Sequence, residues 1–175
     1  MPRRSGVYDW ELRFAMAVQA SRVFSRGFEH ARTSDLSKFS EFSEARFFSY
    51  FGTKEGISRE IFTQFWAKLF QLVGSAHEQC SDDTKEKIRT MARIVVDFSL
   101  EHLEMYRAIT VNEYPPDPAF EEPMSECRFK RKFLALACSL LREAHVKGIV
   151  RNARGTDDWH YVIVAAGVKG LLTRH

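Results

Sequence analysis

His77 and Cys80 stand three residues apart, a spacing that puts an imidazole and a thiol on one side of a helical turn. Such a pair could ligate a metal, but a closed site needs a second pair and none is apparent. No metal and no cofactor is expected. Phe51-Gly52-Thr53-Lys54-Glu55-Gly56 has the glycines and lysine of a phosphate loop without the Walker spacing. No HExxH occurs, and no GxGxxG follows a strand, so an enzyme is not expected. Cys80, Cys127 and Cys138 are odd in number and lack a CxxC pair, which suits free thiols in a cytosolic chain. Any of the three could serve as an oxidation sensor. His102 and Tyr106 are four apart, and one helix through both would put them on a common face as polar anchors for a ligand.

The basic residues are unevenly spread. The chain of 175 residues carries a net charge of +3, and residues 1–54 hold 9 Lys and Arg against 6 Asp and Glu. Residues 55–175 hold 17 of each, so the whole excess lies in the first third. A local excess of this kind points either to a polyanion partner or to a solvated basic face. With 28% charged and 45% hydrophobic residues the chain can build a real core. The longest apolar runs, 133–141 and 161–168, fall short of the roughly 18–20 residues of a membrane span. Arg3 and Arg4 precede no apolar stretch, so no secretory signal is expected and the location is taken as cytoplasmic.

The elements that must position these groups read as helices almost throughout. Trp10, Phe14, Ala17, Val18 and Phe24 mark a first helix, ended by Gly27. Short helices are predicted from about Thr33 to Phe39 and Ser43 to Tyr50. Thr53 is a good N-cap for a long helix carrying Ile57, Ile61, Phe65, Leu69 and Leu72, closed at Gly74-Ser75. Asp82-Asp83 opens the next, which continues or re-forms through Tyr106. Four prolines between Glu113 and Pro123 demand a loop. An amphipathic helix follows from Phe129 to Ala144, and a last one runs from Thr156 towards Leu172. No stretch alternates with period two, so the fold class is all-α.

Two short helices after a longer one form the skeleton of a helix-turn-helix. In detail, residues 27–57, GFEHARTSDLSKFSEFSEARFFSYFGTKEGI, resemble the tetracycline-repressor (TetR) family of regulators. A Gly-aromatic pair ends the first helix, and Asp35-Leu36-Ser37 matches the core of the second. Ser43 opens the third after a three-residue turn. The run from Phe47 to Glu55 matches the family's aromatic-rich close. The alignment covers Gly27 to Glu55 without a gap. There are departures. The family's turn usually holds a glycine in a left-handed conformation; here it is Ser40-Glu41-Phe42, so about 1 kcal/mol of backbone strain is expected. Phe48 replaces a tyrosine and lacks its hydroxyl. Members often add one more helix, in the dimer interface, after what looks like the final helix here.

The resemblance implies a three-helix DNA-binding domain, residues 1–54, and a helical effector-binding and dimerisation domain, residues 55–175. On a recognition helix, Ser43, Glu44, Ala45 and Arg46 would face base edges in the major groove. Arg46 suits guanine O6 and N7; Glu44 could accept from a cytosine amino group, cap the helix or pair with Arg46. Phe48 would lie on sugar and backbone or pack inward. Tyr50, Lys54, Thr33 and Ser34 would contact phosphates, Lys54 with the help of a helix N-terminus. Arg32, Lys38 and an arm carrying Arg3 and Arg4 could add charge. Phe47 and Phe51 read as core.

In the second domain, Trp66, Phe70, Met91, Phe98, His102, Tyr106 and Phe133 are candidates for an apolar ligand pocket, though each taken alone is more often plain core. Ala165, Ala166 and Gly170 would allow close helix pairing across a dimer axis. The expected partners are therefore a palindromic double-stranded DNA operator, a second copy of the chain and a small apolar or aromatic ligand, with no membrane. A repressor released by that ligand is the first expectation. Control by a protein partner or by cysteine oxidation is the alternative.

Overall fold

A computed structural model describes residues 9–111 and 127–149. The described residues are helical, with no strand among them: α1 Trp10–Phe24, a 3-10 turn Thr33–Asp35, α2 Leu36–Phe39, α3 Glu44–Phe51, α4 Lys54–Gln79, α5 Thr84–Glu101, α6 Leu103–Val111 and α7 Arg128–Val146. Among them no helix is long and apolar enough to cross a membrane. Arg3 and Arg4, the proline-rich segment and the last predicted helix with Ala165, Ala166 and Gly170 lie outside the described residues.

The chain forms two compact units. The first contains α1 to α3, α4 as far as Gln64, and α6 from Glu104 on; the second contains α4 from Phe65, α5 and α7. In the first, α1 starts where the Asp9 carboxylate accepts from the Leu12 amide, 3.1 Å away. Its inner face buries Met16, Ala17, Ala20 and Phe24 completely or nearly so, and α1 packs on α2, whose Leu36 is fully buried. From α3, Phe47 is equally buried.

Two glycines set the junction from α3 to α4. Gly52 takes φ 78, a conformation that costs a side chain strain, and its N–H donates to Phe48 O at 2.9 Å. At Gly56 an added Cβ would stand 1.9 Å from the Phe51 carbonyl oxygen, so only glycine lets the first turn of α4 approach the end of α3. Thr53 caps α4, its hydroxyl accepting from the Gly56 N–H at 3.0 Å, as predicted. The helix does not stop at Gly74-Ser75 but runs to Gln79. A mid-helix glycine costs about 1 kcal/mol, which a helix this long absorbs.

The expected strain in the 40–42 turn is absent: among the described residues no non-glycine has positive φ. Ser40 is extended, at φ −139 and ψ 149. The turn is held instead by Gln19 of α1, whose Oε1 accepts from Ser40 Oγ at 2.8 Å and from the Glu41 N–H at 3.0 Å. Gln19 Nε2 donates to the Glu41 carboxylate at 2.9 Å, and the Phe42 N–H donates to Ser40 Oγ at 2.9 Å. A side-chain amide thus does the work of a left-handed glycine.

A second polar brace joins α1 to α4. Arg13 donates Nε and Nη2 to the two oxygens of Glu60 at 2.7 and 2.6 Å. The buried Gln64 adds a donor to the same carboxylate at 2.7 Å. In the second unit, α5 packs on α7. Asp83 caps α5 by accepting from the Lys85 N–H. The buried Thr84 hydroxyl donates to Glu143 of α7, and Lys147 donates to both, at 2.8 and 2.6 Å.

Candidate nucleic-acid interface

The outward face of the first unit is built from α3 and the starts of α2 and α4. Ser43 caps α3, its hydroxyl accepting from the Arg46 N–H at 3.3 Å. Helix α3 is anchored from below by Phe47, whose ring meets Phe42 edge-on at 6.1 Å and Phe51 at 6.3 Å. With that face fixed inward, the helical period turns Ser43, Ala45, Arg46 and Tyr50 to solvent, with Glu44 and Phe48 half-buried at the flanks. The Arg46 guanidinium lies 5.2 Å from the Phe42 ring centre and 6.0 Å from that of Tyr50.

Among the phosphate candidates, Ser34 is exposed and Thr33 half-buried at the 3-10 start of α2. Lys54, at the first position of α4, stacks its ammonium 4.4 Å from the Phe28 ring centre. Lys38 is engaged with Asp35 at 2.7 Å, and that bond holds the Asp35 carboxyl below its ordinary range. Arg32 is exposed. Three contributors escaped sequence reasoning: Phe42 beneath Arg46, Phe28 beneath Lys54, and Gln19 bracing the turn. The Phe42–Phe47 pair was readable as a staple, an apolar residue just before the cap packing on one in the first turn.

The fold of the chain occurs in solved structures. The structure of the fatty acid degradation regulator FadR from Bacillus halodurans has a TM-score of 0.69 with this chain at 14% identity, covering 95% of this chain and 89% of that one. The TetR family transcriptional regulator PfmR from Thermus thermophilus has a TM-score of 0.63 at 18% identity, covering 91% and 80%. The chain has the TetR-type regulator fold. No family model and no curated protein sequence matches it.

In the second unit of this TetR-type fold, four of the seven ligand candidates come together. Phe133, Trp66, Phe65, Phe98 and His102 form a continuous run of rings, with successive centres 5.5, 5.7, 5.1 and 4.6 Å apart. Lys130 and Lys132 of α7 stack over Trp66 and Phe70, each at 5.9 Å. His102 does not share a helical face with Tyr106. The helix breaks at His102, at φ −113 and ψ 46, and Tyr106 is buried in α6 within the first unit. Burial, helped by Lys68 and opposed by Glu101, holds the His102 imidazole below its ordinary pKa; burial raises Tyr106. Met91 sits apart from the ring run, in a cleft it lines with Val73, His77, Cys80, Lys87 and Leu140. His77 Nδ1 is buried there without a hydrogen-bond partner among the described residues. No three His, Cys, Asp or Glu side chains among the described residues converge as a metal site.

Proposed function

We propose that the protein is a DNA-binding transcriptional regulator that inserts α3 into the major groove of an operator. The observation that carries this reading is the outward face of α3: exposed Ser43, Ala45, Arg46 and Tyr50 on a helix pinned from behind by the fully buried Phe47. In this reading residues 1–54 bind DNA and residues 55–175 bind effector and pair two copies on a palindromic site. One such helix reads only a few base pairs, so two-fold pairing through Ala165, Ala166 and Gly170 supplies the remaining specificity. Repression is relieved by a small apolar or aromatic ligand among Trp66, Phe98, His102 and their neighbours. Fatty acids are the first ligands to test, because one similar structure is that of a fatty acid degradation regulator.

Affinity for a selected operator should fall log-linearly with salt as bound phosphates release counterions, and Lys54→Ala should reduce the slope by about 1. A flat salt response would remove the DNA-binding reading. Phe98→Arg should abolish the ligand's effect while leaving operator affinity in place; a normal response would move the pocket elsewhere.

A second reading of the regulation is favoured by the cleft of α4, α5 and α7. Cys80 lines it together with His77 and Lys87, and an oxidised thiol there would alter the packing of the cleft. Release of DNA by oxidant in wild type but not in Cys80→Ser would put control at this thiol.

A further inference from the structure

Arg46 is the third residue of α3, where the helix macrodipole favours an acid, so a cation there is not explained by helix stability. Its guanidinium donates no hydrogen bond to the described residues; only the rings of Phe42 and Tyr50 attend it. A ring beneath a guanidinium attracts its face and leaves the in-plane N–H groups directed outward. The Phe42 ring is itself fixed. It meets the buried Phe47 edge-on, and the Phe42 N–H is tied to Ser40, which is tied to Gln19 of α1.

We propose that Phe42, a residue of the turn, is a specificity-determining positioning residue: it sets the direction in which Arg46 presents its two-donor fork to a base pair. The proposal rests on the DNA-binding reading above and goes beyond it. A guanidinium ordered before binding loses less freedom when it meets a guanine edge. It also swings less readily to a nearby phosphate when the base is wrong, so the ring sharpens discrimination more than it raises affinity. Tyr50 bounds the other side, but it is exposed, and the Phe51 ring it meets at 6.1 Å is half-buried where Phe47 is fully buried.

The test selects bound sequences from a random duplex DNA pool with wild type, Arg46→Ala, Phe42→Leu and Phe42→Tyr. The affinity of each for one fixed, unselected duplex is measured alongside. Arg46→Ala should flatten the preference at one position per half-site. Phe42→Leu keeps the apolar contact to Phe47 and should weaken preference at that same position about threefold, the size of an exposed cation–π contact. Phe42→Tyr should restore it, and the unselected duplex should bind all three Phe42 forms equally. Phe42→Met gives a second ring-free side chain with the same expectation should the leucine variant melt early. If the ring-free variants keep full preference at the Arg46 position, or lose affinity for selected and unselected DNA alike, the inference is overturned while DNA binding stands. If wild type enriches no sequence from the pool, the DNA-binding reading fails and this inference with it.

Discussion

The two compact units reach rigidity by different means. The first includes two short helices, 4 residues in α2 and 8 in α3, too short to hold themselves by backbone bonds alone. Directional polar braces fix them: Gln19 on the turn, Arg13 with Glu60 and Gln64 between α1 and α4. The second uses α5 and α7, 18 and 19 residues long, packed through a run of aromatic rings. Hydrogen bonds fix angles; apolar packing fixes volume and tolerates rearrangement. The surface proposed above to match base edges suits the first kind of construction.

The comparison breaks most easily at the apolar anchor that both units still need. Phe47→Ala leaves a cavity under α3 and should cost about 3–5 kcal/mol, the range for a buried phenylalanine. Urea unfolding measures it, and the variant should lose DNA binding with its fold. A cost near zero would mean that the polar braces alone hold α3, and the first unit would then differ from the second even more sharply.

The brace itself is next in size. Glu60→Ala takes the carboxylate from the half-buried Arg13 and from one buried donor of Gln64, and should cost about 2 kcal/mol, between an exposed and a fully buried ion pair. Replacing both partners, Arg13→Met with Glu60→Met, should recover most of the loss, since a packed apolar pair can substitute for a buried ionic one. A double-mutant cycle by urea unfolding separates the cases. A double variant as unstable as Glu60→Ala would show that the bond directions, rather than the absence of stranded charge, stabilise the unit.

Much of the fold was readable because local chemistry dictates it. Ser43, Thr53 and Asp83 are side chains that cap, and each lies at a helix start; Gly27 takes positive φ after the end of α1. Of the residues that the family resemblance put on the base-facing side of the third helix, Ser43, Ala45 and Arg46 are exposed and Glu44 is half-buried. What failed required contacts distant in sequence. Nothing near Ser40 announces Gln19, twenty-one residues earlier, so the turn was expected to be strained. His102 and Tyr106 have the spacing of one helical face, but a break at His102 sends them to separate units, and spacing arguments assume an unbroken helix. The ring run through Phe65 could not be ordered from sequence, because apolar periodicity gives a face and no neighbours.

The smallest expected effect lies in the second unit's own polar contact, the cluster of Thr84, Glu143 and Lys147. Hydrogen bonds from Lys147 and then from Thr84 hold the Glu143 carboxyl below its ordinary pKa of 4.5. A depressed carboxylate contributes stability that is fully present above its unfolded value and disappears as pH falls through its folded one. Glu143→Gln should therefore be slightly less stable than wild type at neutral pH and should converge with it in acid, as pH falls below 4.5 and through the lowered folded-state value. His102 acts in a different window. Its imidazole is depressed by burial from an ordinary 6.5, so the unfolded chain gains a proton that the folded chain resists as pH falls below that value. Removing it with His102→Phe should flatten the loss of stability just below pH 6.5 and leave the Glu143 window unchanged. Thermal melts of the three proteins across both windows separate the two. If the Glu143→Gln deficit persists unchanged in strong acid, the contact between α5 and α7 is one of shape, and the second unit carries no ionic brace comparable with that of Arg13 and Glu60.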